Sequence, residues 1–232
     1  MCGIVGILGS KPVAIDLVDA LRRLEYRGYD SAGVATVENG HLERRRAEGK
    51  LRNLEQRLLA EPLSGRTGIG HTRWATHGRP TERNAHPHMS AKVSVVPKSI
   101  NKNFRELKAE LTAQGHSFET DTDTEAVVHL VTHGLDGGLG PIEATRAALG
   151  KLKGAFALGI IFAGEDDLMI AARKGSPLAI GHGNGEMYLG SDAIALAPFT
   201  DAITYLEEGD WAVMRRAGVE VFNEAGEEVA RP

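Results

Sequence analysis

Short apolar runs recur along almost the whole chain: IVGIL, GVATV, TGIGHTRWA, AKVSVV, AFALGIIFA, DLMIAA, EMYLGS, AITYL and WAVMRR. They are rich in Gly, Val, Ile and Ala and bounded by turn residues, so they are predicted strands, and a strand must pair to satisfy its backbone. Turns such as GHGNGE between the later runs point to substantial antiparallel sheet.

Between and around these runs lie helical patterns. From Pro12 to Arg27, Leu17, Leu21 and Leu24 share one face, with Ile15 and Val18 beside them. Pro12 suits a first turn and Gly28 an exit. Residues 50–60 (KLRNLEQRLLA) form a more polar helix, and a third is predicted from Asn103 to Ala113. In TDTEAVVHLVTHG, Thr122 and Glu125 have capping-box spacing and Gly134 is the predicted end. A fifth helix is expected from Pro141 to Leu152. The C-terminal third reads mostly as strand and the middle mostly as helix. No linker, repeat or low-complexity segment divides the sequence, so residues 1–232 are expected to form a single mixed α/β domain.

At 232 residues the chain is long enough for a sizeable core, and its 42% hydrophobic and 25% charged residues are ordinary for a globular protein. A net charge of −4 gives no basis for a nucleic-acid or anionic-membrane partner. No stretch approaches the roughly 20 apolar residues of a membrane span. The start lacks the basic and apolar regions of a signal peptide. A lone cysteine has no intramolecular disulfide partner, and a cytoplasmic location is expected.

That cysteine is Cys2. Removal of Met1 would make it the N-terminal residue, with a free amine whose reference pKa is about 7.7–8.0 beside a thiol of about 8.5. One residue would then carry a nucleophile and a base, the pairing that an N-terminal threonine enzyme uses. The plain alternative is a buried small residue that opens a strand.

Further motifs accompany it: LEYRGYDSAG (24–33), GIGHTRWATHGRP (68–80), NAHPH (84–88) and TDTDTE (120–125). Together with MCGIVG they resemble the glutaminase domain, a class II glutamine amidotransferase, of the glutamine–fructose-6-phosphate aminotransferases (glucosamine-6-phosphate synthases). The resemblance covers nearly the whole chain. Other class II amidotransferases also begin with MCGI, whereas LEYRGYDSAG and HTRWATHG resemble the amino-sugar branch. It implies an α+β fold, the four-layer αββα sandwich of two antiparallel sheets found in N-terminal nucleophile hydrolases.

The resemblance also implies the chemistry. Cys2 attacks the side-chain amide of L-glutamine, its amine relays the proton, ammonia leaves and water releases glutamate. Arg73 matches the residue that clamps the substrate α-carboxylate, where a guanidinium fork suits a carboxylate. Asp123 matches the residue that receives the α-ammonium. Trp74, Thr76 and His77 are expected to line the pocket, Arg27 to lie near the nucleophile, and Tyr29 and Asp30 to belong to a glycine-bounded turn nearby. Plainer readings stand beside these: Arg73 as a surface ion-pair partner, Asp123 as a carboxylate favoured by a helix dipole, and His71 and His77 as hydrogen-bonded core histidines. His86 and His88 have no third ligand cluster in sequence, so no metal is expected, and no cofactor either.

One segment departs from the family. Where its pattern reads H-N-G-I-I-E-N-F, this chain has Pro97-Lys98-Ser99-Ile100-Asn101-Lys102-Asn103-Phe104, with both flanks in register. Lys98 and Ser99 fall on the two oxyanion-hole positions, filled in the family by an Asn amide and a Gly N–H. Serine tolerates poorly the φ values that glycine permits, and a lysine does not preorganise a donor as a short amide does. Two functional readings follow: a glutaminase, or a glutamine-binding module with little turnover. The family also continues into two sugar-isomerase domains that bind fructose 6-phosphate and receive the ammonia. Those domains are expected to be absent from this chain, which alone would make no glucosamine 6-phosphate.

Overall fold

The computed structural model describes residues 1–76 and 78–232. Its strands are β1 (Gly3–Leu8), β2 (Ser31–Glu38), β3 (His41–Glu48), β4 (Thr67–Arg73), β5 (His88–Met89), β6 (Val93–Asn101), β7 (Gly154–Phe162), β8 (Met169–Lys174), β9 (Ala179–His182), β10 (Met187–Gly190), β11 (Ile203–Tyr205), β12 (Trp211–Arg215), β13 (Gly218–Phe222) and β14 (Glu228–Val229). The helices are α1 (Ala14–Arg22), α2 (Leu51–Ala60), α3 (Phe104–Ala113), α4 (Thr124–Asp136) and α5 (Pro141–Lys151).

The strands form two seven-stranded sheets, ordered β11-β9-β10-β1-β4-β2-β3 and β14-β13-β12-β8-β7-β6-β5, with antiparallel ladders throughout. Side chains that alternate along each strand go to opposite faces. In β1, Ile4 and Leu8 enter a core that also holds Val96, Ala157, Met169 and Ala212 from the second sheet. Val5 and Ile7 point the other way, onto Leu17 and Leu21 of α1. On the far side of the second sheet, Val93, Val95, Leu158 and Ile160 pack against Leu107, Val128 and Ala148 of α3, α4 and α5. Two sheets face each other between two helical layers, the αββα sandwich that the resemblance implies.

Several boundaries differ from expectation. The first helical pattern divides into α1 and a separate 3₁₀ turn at Glu25–Arg27. Helix α4 passes through Gly134 to Asp136; a Cβ at Gly134 would lie 3.0 Å from Ala144 Cβ, so this glycine serves the close approach of α5 rather than a helix end. The expected capping box does not form: Glu125 accepts instead from the Glu119 and Thr120 amides and the Thr120 hydroxyl, and Thr122 bonds Thr120. Strand β3 (HLERRRAE) has no apolar alternation, yet it pairs with β2 along its full length. Its arginines lie along the surface and donate to backbone carbonyls, Arg44 to Pro87, Arg45 to Glu61 and Arg46 to Ala85.

The strand expected to end at Val96 continues through Pro97, Lys98 and Ser99 to Asn101, paired with β7. Beyond Val95, β6 has a strand partner on one side only, and such an edge accommodates a proline. Ser99 therefore sits in extended backbone rather than at positive φ, and the strain expected of a serine there does not arise.

Candidate active site

Cys2 stands at the mouth of β1, and its neighbour fixes its position. Gly3 lies opposite Thr72 in the ladder. A Cβ on Gly3 would come within 2.6 Å of Thr72 Oγ1 and 2.8 Å of Leu24 Cδ1, so only glycine lets the chain start approach β4 so closely. The Trp74 N–H donates to Cys2 Sγ at 3.5 Å. Burial pushes the Cys2 thiol up, against the pull of the Trp74 N–H, the N-terminal ammonium and Arg73. The thiol is thus mainly protonated near neutral pH, and its use as a nucleophile calls for a base.

Cys2 shares a small pocket with His71, Arg73, Trp74, Thr76, His86, Pro97, Ser99, Thr122, Asp123 and Thr124. Arg73 ends β4 and is 3% exposed. Its guanidinium donates to the Arg79 carbonyl at 3.0 Å and reaches the Gly78 carbonyl at 3.5 Å. Asp123 occupies the residue before α4, and its Oδ2 accepts from the Asn101 N–H at 3.2 Å. The pocket therefore has a cation at one position, a carboxylate at another and a thiol between the strands, a set of groups able to take a zwitterionic amino acid and attack its side chain. Trp74 is half exposed at the rim.

The other expected residues are placed less simply. His77 lies outside the described residues. Arg27 does not line the pocket: its guanidinium pairs with Asp192 Oδ2 at 2.7 Å, and its carbonyl receives the Met1 amine at 3.3 Å. Lys98 also lies off the pocket wall. Its Nζ donates to Met1 Sδ at 3.3 Å, and burial, reinforced by Arg27, pushes the ammonium pKa down.

Two further residues, Asn84 and the expected turn residue Asp30, hold the site's loops together. Asn84, 1% exposed, donates to the Arg79 carbonyl at 3.0 Å and to Asp121 Oδ2 at 3.1 Å, and so links the loop after Arg73 to the loop before Asp123. Asp30 accepts from the Ala75 N–H at 2.6 Å, and its own N–H donates to the Arg73 carbonyl at 2.7 Å. The only signal for these two was their presence inside the quoted motifs.

From the pocket wall inward, the rings of His71, His86 and His88 form a buried row, tilted 39° and 45° to one another with centroids 4.4 and 4.2 Å apart. Sequence separation hides the approach of His71 to the His86–His88 pair. His71 contacts the Pro97 carbonyl at 2.6 Å and His86 the Thr124 hydroxyl at 2.8 Å. Burial holds His71 down to about 3, and holds His86 and His88 well below the usual histidine range. Among the described residues, no group of three or more His, Cys, Asp or Glu side chains is arranged to hold a metal ion.

Comparison with known proteins shows the family to which this fold belongs. Residues 71–198 match the family model described as a glutamine amidotransferase domain. The chain is 64% identical over 232 residues to the glutamine–fructose-6-phosphate aminotransferase (isomerizing) of Brucella suis biovar 1, and 66% identical over 231 residues to that of Bradyrhizobium diazoefficiens. In both cases it covers 100% of this chain and 38% of the relative, so the chain spans well under half the length of the curated relatives it matches. Among solved structures, the glutamine phosphoribosylpyrophosphate amidotransferase from B. subtilis superposes with a TM-score of 0.83 at 25% identity, over 96% of this chain and 49% of that one. A glutamine aminotransferase class-II domain protein from Silicibacter pomeroyi shares the fold, with a TM-score of 0.64 at 14% identity over 96% of this chain and 99% of the other. The family match spans more than half of the sequence and falls on strands and loops that build the pocket: this chain belongs to the glutamine amidotransferase domain family.

Proposed function

We propose that the chain, once Met1 is removed, hydrolyses the side-chain amide of L-glutamine with Cys2 as nucleophile. The observation that carries this reading is the shared pocket of Cys2, Arg73 and Asp123. The α-carboxylate of glutamine would take the Arg73 guanidinium and the α-ammonium would take Asp123, which directs the amide carbon toward the thiol. Thr76 and Trp74 would close the pocket, and Arg27 would hold the turn on which the chain start rests. His77 carries its expected role by resemblance alone.

In this mechanism the freed Cys2 amine, through a water, accepts the thiol proton and returns it to the departing ammonia. Water then cleaves the thioester to give glutamate. Negative charge grows on the amide oxygen; of the two residues that the resemblance assigns to the oxyanion positions, Ser99 lines the pocket and its backbone N–H would be the donor, while the Lys98 ammonium lies off the wall. In the longer relatives' context, ammonia would pass to a sugar-phosphate site in further domains. A nucleophilic thiol that must stay reduced fits the cytoplasm, and no helix among the described residues is long and apolar enough to cross a membrane.

A second reading, a glutamine-binding module with little turnover, is favoured by one observation: the Lys98 ammonium is engaged by Met1 and is not on the pocket wall. Steady-state glutamate release by the Met1-processed chain, alongside calorimetric glutamine binding, separates the two. Release that Cys2→Ala abolishes supports the glutaminase, and binding with release at background supports the module. Equal release from Cys2→Ala and the unmodified chain overturns the proposed mechanism.

A further inference from the structure

We propose that Lys98 is an acceptor for the γ-glutamyl group that Cys2 carries, so that the chain modifies itself at the Lys98 Nζ when supplied with L-glutamine. The inference rests on the Cys2 thioester chemistry proposed above and adds a second fate for that intermediate.

The placement of Lys98 follows from strand alternation. Its neighbour Val96 and its cross-strand partner Ala157 both belong to the core between the sheets, so the lysine stem leaves β6 on that inner face. On the same side lies the start of β1. The ammonium meets Met1 Sδ at 3.3 Å, one residue from the nucleophile, and it interacts electrostatically with Cys2, Arg27 and Asp192. Removal of Met1 takes away the thioether and leaves the amine, on a flexible four-carbon stem, facing the new chain start at Cys2.

Burial first, and Arg27 second, push the Lys98 pKa down, opposed by Cys2 and Asp192. A larger fraction of neutral amine is therefore present near pH 7 than on an exposed lysine. An amine held beside a thioester competes with water through proximity, which is worth orders of magnitude in effective concentration.

The step balances without a further reactant. The neutral Lys98 nitrogen attacks the thioester carbonyl carbon, the C–N bond forms and the C–S bond breaks. The Cys2 thiolate departs and recovers the proton that the nitrogen loses. One glutamine is consumed, one ammonia is released, and a γ-glutamyl isopeptide replaces the ammonium, which removes a positive charge from beside Cys2.

The test is peptide mapping by tandem mass spectrometry after the Met1-processed chain is incubated with L-glutamine. The expected result is one γ-glutamyl group on Lys98 and loss of tryptic cleavage after it. No adduct is expected with L-glutamate, in Cys2→Ala, or in Lys98→Arg, which keeps the charge and loses the nucleophile. A parallel arm treats the chain with a diazoketone analogue of glutamine. A labelled Cys2 with Lys98 unmodified, or the γ-glutamyl group on the Cys2 α-amine, overturns the acceptor role and leaves the Cys2 reading standing. An adduct on Lys98 in Cys2→Ala overturns the route through the thioester. Failure of the analogue to label Cys2, with Lys98 unmodified, overturns both readings.

Discussion

Asn84 grips Asp121 from both sides: its Nδ2 donates to Asp121 Oδ2 at 3.1 Å, and its Oδ1 accepts the Asp121 N–H at 3.0 Å. The same Nδ2 shares the Arg79 carbonyl with Arg73. The loop that follows Arg73 and the loop that precedes Asp123 are thus joined through one buried amide. Asn84→Ala is expected to lower kcat/KM for glutamine about tenfold or more, the scale of a buried hydrogen bond left unmade. The loss should fall mainly on KM, and a fall in kcat alone would contradict this role.

Arg73→Lys keeps the charge and loses the planar fork. A single ammonium cannot reproduce paired hydrogen bonds to a carboxylate. The expected result is a rise in KM of roughly 10–100-fold, about 1.4–2.8 kcal/mol, with kcat within a few-fold. An unchanged KM would remove Arg73 from the carboxylate site.

Gly3→Ala places a methyl group against Thr72 and Leu24. Overpacking of this kind costs about 1–3 kcal/mol, and it displaces the residue next to Cys2. Urea unfolding should show a lower midpoint, and glutamate release should fall further than stability alone accounts for.

The three buried histidines weaken the fold as the pH falls. Buried neutral His71, His86 and His88 have folded pKa values below the unfolded value of about 6.5. Between about pH 6.5 and the folded value, about 3 for His71, the unfolded chain binds more protons. Stability is therefore full above about pH 6.5 and declines as pH falls through that window, by up to about 1.4 kcal/mol per pH unit for each histidine. Chemical denaturation at pH 7.0, 6.0 and 5.0 tests the slope, which His88→Leu should reduce by about one proton.

By the family resemblance, the combination Pro97→His, Lys98→Asn and Ser99→Gly would supply a short amide donor at a proposed oxyanion position. Glutamate release is expected to rise by roughly 10²–10³ in kcat, the usual effect of one oxyanion donor, with KM little changed. Equal turnover before and after would mean that Lys98 or Ser99 already serves.

The sequence by itself determined the helices and most of the strands, because Leu17, Leu21 and Leu24 on one face, or Val93 and Val95 on another, are local patterns that burial obeys. It also supplied Cys2, Arg73 and Asp123 as candidates, through motifs whose residue types fit the substrate's charges. Only the tertiary structure decided that β3 is a strand, since its arginines are satisfied by carbonyls from distant segments rather than by apolar alternation. It alone carried β6 past Pro97, because that proline's tolerance depends on which edge of the strand is paired. The row of buried histidines, the Asn84 bridge and the direction of Lys98 were beyond a linear reading for the same reason: each depends on groups that only folding brings within hydrogen-bond or van der Waals distance.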